Sequence, residues 1–149
     1  MNQSPATPER RRGAVAVIVR DDRLLVIRRA AGVVAPGAFC FPGGGIEAGE
    51  SEPQALVREI EEELGVSVRP LRRVWQSVTA WQVELAWWLA ELPKDARLVP
   101  NPAEVESVHW VPAAELPAWP GLLASNHDFL RALASGEFTL AHPPDDSAG

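Results

Sequence analysis

Tyrosine is missing from this chain, cysteine occurs once, and positive charge is in short supply. A lone cysteine, Cys40, cannot close an intrachain disulfide, which fits a reducing compartment. No stretch approaches the ~20 consecutive apolar residues needed to span a bilayer. The N-terminal sequence MNQSPATPERRRG lacks the apolar segment of a secretory signal, so the expected address is the cytoplasm. Lys and Arg number 14 against 20 Asp and Glu, a net charge of −6. That balance argues against non-specific binding to a nucleic acid polymer or an anionic membrane. It leaves room for an anionic small molecule, because a bound metal ion reverses the local sign.

What is present is ordinary globular material. The 149 residues, 46% apolar and 23% charged, suit one domain with a substantial core. Residues 1–12 are polar and rich in Pro and Arg, and read as a disordered arm. Arg10, Arg11 and Arg12 would there be either solvated or an anion-binding patch. The domain is expected over 13–135, followed by a tail over 136–149 that is largely disordered from His142. Gly13 to Arg20 and Leu24 to Arg29 read as a β-hairpin turning at Asp21-Asp22. Ala30 to Gly49 is a long Gly/Pro-rich loop, of the length that is usually functional or disordered. Its glycines Gly43 to Gly45 would let backbone approach a ligand, or simply make a turn. Further strands are expected at Val66–Val68, Val74–Thr79, Val83–Leu92 and Val105–Val111. A second helix is expected at Leu122–Ala134, capped by Ser125 or Asn126.

The most informative stretch is 44–66, GGIEAGESEPQALVREIEEELGV. Ser51 is a good N-cap, Pro53 belongs in a first turn, and Gly65 is a C-terminal stop, so a helix is expected from Glu52 to Leu64. At about 100° per residue, Val57, Ile60 and Leu64 share one side. Glu59, Glu62 and Glu63 share another, within one turn. Glu59 and Glu63 repel at i, i+4, by roughly 0.2–0.5 kcal/mol. Glu61, Glu62 and Glu63 also oppose the helix dipole, by about 0.3–1 kcal/mol each. A solvated surface helix would gain by carrying Lys there. Local violations of this kind tend to mark functional sites, and clustered hard oxygens suit Mg²⁺ or Mn²⁺.

The full spacing Gly-x5-Glu-x7-Arg-Glu-Ile-x-Glu-Glu-x-Gly-Val, on Gly44, Glu50, Arg58, Glu59, Ile60, Glu62, Glu63, Gly65 and Val66, resembles the signature of the Nudix hydrolases. The preceding LLVIRRA, the Pro42-Gly43-Gly44 lead-in, the strand VELAWWLAEL and the segment EVESVHWVPAAEL are similar to MutT-like members. The resemblance covers about residues 13–135. It implies an α/β/α sandwich around a mixed β-sheet and Mg²⁺-dependent hydrolysis of nucleoside diphosphates linked to another moiety, with Mn²⁺ as a substitute ion. By position, Glu59, Glu62 and Glu63 would bind metal, with the Gly43 carbonyl as a further ligand. Glu59 could instead be the base that activates water. Glu104 matches a loop glutamate that serves as ligand or base in some members, or is a surface charge. Arg58 would orient the glutamates by pairing with Glu50 or Glu59, and Glu50 would be structural or a secondary ligand. A homodimer is compatible, since many members dimerise.

The substrate is less legible. Arg29 matches an arginine that lies near the nucleotide in MutT-like relatives, or is an exposed strand charge. Asn126 falls near a base-reading asparagine of those relatives, or caps its helix. Trp81 is a candidate for stacking on a base near a strand end. Trp87 and Trp88, adjacent in a strand, should face opposite sides, as core or as one pocket wall. Trp110 reads as core, and Trp119 as a cover or as packing. Where ADP-ribose-specific members carry a proline, this chain has Gln82. The tyrosine of diadenosine-polyphosphate members has no counterpart, and the NADH-type array SQPWPFxS is missing. Elimination favours a nucleoside di- or triphosphate. The competing reading is a non-catalytic Nudix-fold nucleotide sensor, although such modules usually lose box glutamates.

Overall fold

Strand β1 (Arg12–Arg20) holds the molecule together in the computed structural model, which describes residues 10–141. Along 12–18 it pairs in parallel with β6 (Glu84–Glu91). β6 pairs antiparallel with β5 (Arg69–Val78). On its other edge β1 pairs antiparallel with β4 (Gly43–Gly45) and, at its far end, with β2 (Arg23–Arg29). β2 carries β3 (Phe39–Cys40) and β7 (Val105–Pro112), both antiparallel. The β1–β2 turn places Asp21 and Asp22 at positive φ, the geometry that lets a two-residue hairpin follow strand twist.

Side-chain alternation along β1 and β2 builds a core on each face. Ala14, Ala16, Ile18, Leu25 and Ile27 pack with Leu56, Ile60 and Leu64 of α1 (Glu52–Leu64). Val17, Leu24 and Val26 pack with Phe129 and Leu130 of α2 (Ala124–Ala134). The architecture is an α/β/α sandwich around a mixed sheet. Trp87 and Trp88 do point to opposite sides. Trp87 stacks on Phe129 at 4.7 Å. Trp88 packs on the α1 side and donates to Glu52 Oε1 at 2.9 Å. Both therefore serve packing. Trp110 is half-buried, with Arg20 over its ring, and Trp119 packs edge-on against Phe39.

Helix α1 has the expected bounds because its ends are set by local chemistry. Ser51 accepts from Gln54 N–H, and Gln54 reciprocates to Ser51 N–H, closing a capping box. Gly65 stops the helix at φ 65°, a conformation costly for any residue with a Cβ.

Several expectations are corrected. Val66–Val68 is not a strand; β5 starts at Arg69, where the chain comes alongside Glu91. The loop over 30–49 contains β3, paired with the preceding strand β2, and β4, paired with the start of β1. Neither Ser125 nor Asn126 caps α2; Leu123 holds the N-cap position with no side-chain bond, and both residues lie inside the helix. The supposed arm is ordered in its last residues, since Arg12 is in β1 and Arg11 accepts from Glu84 N–H through its carbonyl. Its remainder, 1–9, and the tail from 142 lie outside the described residues. Residues Phe138 and Leu140 pack on the α2-side core. Among the described residues, no helix is long and apolar enough to cross a membrane.

Replacing Ser51 by Ala removes one half of the capping box. Urea unfolding should show a loss of about 1 kcal/mol with an unchanged m-value.

Candidate active site

Two segments converge on the inner side of α1. The first is β4, pressed between β1 and the helix. A Cβ on Gly43 would lie 2.2 Å from Ala14 O, and Gly43 takes φ 153°. A Cβ on Gly44 would lie 2.3 Å from the Glu59 carboxylate. These glycines are required by close approach, and that approach delivers Gly43 N–H to Glu63 Oε1 at 3.1 Å. The second segment is the loop ahead of β7. Val99 N–H donates to Leu64 O and Asn101 N–H to Glu63 O, at 2.7 and 2.8 Å. The last-turn carbonyls of α1, which have no basic side chain nearby, are thereby satisfied. Ala30 N–H donates to Glu104 O. Glu104 is thus pinned between the end of α1 and the end of β2.

The result is a cavity of about 180 Å³ whose lining includes Gly43, Gly44, Gly45, Glu59, Glu63 and Glu104, together with Arg29. Its electrostatics are strained. Burial, then the neighbouring Glu59, pushes the Glu63 carboxyl up to about 8. Burial also raises Glu59, opposed by its bond to Arg58. Glu104 Oε2 is buried and has no hydrogen-bond partner among the described residues. A carboxylate oxygen in that condition is costly unless a counter-charge meets it. The donors are hard oxygens, so the set fits Mg²⁺ or Mn²⁺. They are spread around the cavity; among the described residues no three acidic, His or Cys side chains converge into a closed cage.

Arg58 ties these parts together. Its Nε and Nη2 bond Glu50 at 2.7 and 2.9 Å, Nη2 also reaches Gly45 O at 2.9 Å, and Nη1 bonds Glu59 at 2.9 Å. The expected pairing with Glu50 or Glu59 is therefore with both. Glu62 is a departure. It lies on the outer side of α1, half exposed, 3.4 Å from Arg58 Nη1 and outside the acidic cavity. It borders a larger concavity of about 720 Å³ between α1 and Pro70. That hollow contains none of Glu59, Glu63 and Glu104, so the smaller inner cavity is the better seat for chemistry.

A second cavity of about 260 Å³ adjoins the first and shares Arg29 and Gly43 to Gly45 with it. Arg29 donates to Val34 O at 2.6 Å and contacts Cys40 Sγ. Asn126 also lines this second cavity, so Arg29 and Asn126 border one space. Trp81 does not. It is 88% exposed at the β5–β6 turn and lines neither cavity. Sequence reasoning missed Phe41, Leu85 and Leu123 as walls of this cavity. Each is an apolar residue that any core would use, so no local signal set them apart.

A family model for the NUDIX domain matches residues 9–133. The NAD-capped RNA hydrolase NudC of Stutzerimonas stutzeri is 30% identical over 106 residues, 71% of this chain and 38% of that protein. The CTP pyrophosphohydrolase of Escherichia coli is 47% identical over 51 residues, 34% of this chain and 38% of that protein. The matched segments thus span well under half the length of these relatives. Among solved structures, the E. coli ORF135 protein superposes with a TM-score of 0.69 at 26% identity, covering 91% of this chain and 94% of that one.

The Arg58 bonds hold the Glu50 carboxyl down to about 2, from an ordinary value of 4.5. A depressed carboxyl stabilises the fold above its unfolded value and loses that contribution as pH falls toward 2. Glu50→Gln should therefore be less stable than the parent at neutral pH. The difference should shrink as pH is lowered through that window, as measured by chemical unfolding at a series of pH values.

Proposed function

The chain belongs to the NUDIX family, and we propose on that premise that it hydrolyses a pyrophosphate bond in a nucleoside di- or triphosphate, or in another nucleoside diphosphate derivative. The observation that carries the reading is the acidic cavity, with a Glu104 oxygen that has no partner among the described residues, beside a second cavity that shares Arg29 and the glycines 43–45 with it. One end suits a cation-bound pyrophosphate and the other a nucleoside. The names of the two relatives, an NAD-capped RNA hydrolase and a CTP pyrophosphohydrolase, support hydrolysis and a nucleotide substrate.

Glu63 and Glu104, with the Gly43 carbonyl, would hold the metal, and Glu62 would join from the rim of the helix. Mg²⁺, or Mn²⁺ in its place, supplies charge neutralisation of phosphate oxygens and a lowered pKa for bound water. The rest falls to the protein. Glu59 accepts the proton of the attacking water as general base, with one oxygen held by Arg58 so that the other stays aimed. The water oxygen bonds to phosphorus as the bridging P–O bond breaks, and the bridging oxygen leaves on the other phosphate. Arg29 steadies the phosphates where the cavities meet. Glycine backbone at 43–45 lets the chain approach them without side-chain interference. We place this activity in the cytoplasm, acting on a small molecule without a membrane or polymer partner.

Purified protein assayed against a nucleotide panel should release phosphate or pyrophosphate with Mg²⁺ and stop when EDTA removes the ion. Glu59→Gln should lower kcat by about 10²–10⁴-fold with an unchanged melting temperature. Tight nucleotide binding without turnover on any member of a broad panel would instead support a sensor.

A further inference from the structure

Alternation along β1 and the residue before it puts Arg11, Gly13, Val15 and Val17 on one face. It is the α2-side face, where Val15 and Val17 join the core. Val15 lies opposite Gly43, where the two cavities meet. Arg11 stands four residues from Val15, about 13 Å along the strand. It borders the second cavity and not the acidic one. Gly13 lies between them and has no side chain to fill the gap; a Cβ there would come 2.9 Å from Leu85 Cδ2. The floor from the glycine strand to Arg11 is therefore open.

The Arg11 backbone is held, since its carbonyl accepts from Glu84 N–H at 2.8 Å. Its side chain is exposed and has no hydrogen-bond or ion-pair partner among the described residues. The acids nearby are already engaged. Glu84 pairs with Arg10 at 3.5 Å, and Glu52 with Arg12 and Arg73 at 3.2 and 3.5 Å. Among the described residues no Asp or Glu lines the second cavity. In a chain of net charge −6, this end of the cavity is locally cationic, and one guanidinium keeps all its donors.

We propose that the second cavity takes nucleotides carrying a further phosphate on the ribose, and that Arg11 is the residue that binds it. This rests on the reading that the acidic cavity holds the pyrophosphate and the second cavity the nucleoside. A nucleotide so placed brings only its nucleoside toward Arg11, and the ribose hydroxyls are where a nucleoside carries a phosphate. The guanidinium fork matches two phosphate oxygens at once, and the bond is charge-assisted.

The test uses pairs that differ by one ribose phosphate: NADP⁺ against NAD⁺ for the 2′ position, and coenzyme A against dephospho-coenzyme A for the 3′ position. In at least one pair, wild-type kcat/KM should favour the phosphorylated member by about tenfold. Arg11→Ala should bring that ratio to about one. Arg11→Lys, which keeps the charge without the planar fork, should keep part of it. Added salt should shrink the ratio in the wild type. Arg69→Ala removes the same charge from a site that borders neither cavity, and should leave the ratio as it was. Equal kcat/KM within both pairs, a ratio that survives in Arg11→Ala, or the same loss in Arg69→Ala would each overturn the proposal. Affinities for AMP, adenosine 2′,5′-bisphosphate and adenosine 3′,5′-bisphosphate are measured in parallel by calorimetry, which needs no turnover. If nothing is hydrolysed but a bisphosphate binds more tightly than AMP, and Arg11→Ala removes the gain, the hydrolytic reading fails and this inference stands. Equal affinities in the wild type overturn it whether or not hydrolysis occurs. Tighter binding of the dinucleotide pApA than of the 3′,5′-bisphosphate would assign Arg11 to the phosphodiester of a polyribonucleotide and overturn the ribose-phosphate assignment.

Discussion

The guanidinium of Arg58 is the contact on which the rest of the site depends. α1 carries five glutamates and this one cation. Arg58 bonds the loop before the helix through Glu50, β4 through Gly45 O, and its own neighbour Glu59. A lysine has no planar fork and could not serve three such directions at once. The pairing does not neutralise the site, because its benefit is unevenly shared. Glu50 takes two of the bonds and its carboxyl falls to about 2, whereas Glu59 stays above its ordinary value because burial outweighs its single bond. Arg58 thus anchors the framework and leaves negative potential where the cavity is.

That negative potential is local, and it sits beside its opposite. The acidic cavity and the second cavity share Arg29 and the glycine strand. Glu59, Glu63 and Glu104 line the first, whereas Arg11 and Arg12 line the second. Coupling between the ends runs through short covalent paths. Asn126 holds Phe41, and Gly43, two residues on, donates to Glu63. The side chain of Asn126 in the second cavity therefore also anchors the segment that leads to Glu63.

Features governed by neighbours in sequence were legible without the structure. The ends of α1 follow from Ser51, Gln54 and Gly65, and the β1–β2 hairpin from Asp21-Asp22. The box spacing pointed to Glu59 and Glu63. What escaped notice depends on distant partners. β4 is three glycines, a poor strand by propensity, and forms only because β1 offers an edge. Asn126 has the local grammar of a cap, but its bond is to Phe41, which no nearby residue announces. Glu62 shares the acidic side of the helical wheel with Glu59 and Glu63. The wheel cannot show that β4 covers only part of that side, leaving Glu62 with Arg58 in the outer hollow.

The same division explains why the box says more about reaction than about substrate. The box glutamates are gathered by one helix and one arginine, so their order in sequence nearly fixes their order in space. The second cavity is assembled from β1, β2, β3, β4, β6, α2 and the segments between them, with no one element supplying it. Substitutions there alter shape and polarity without leaving a contiguous pattern. Which atom the buried amide of Asn126 turns inward is decided by a backbone N–H in another element. A residue's identity at such a position is therefore an incomplete description of its role, since the same asparagine held by a carbonyl instead of an N–H would present the opposite atom.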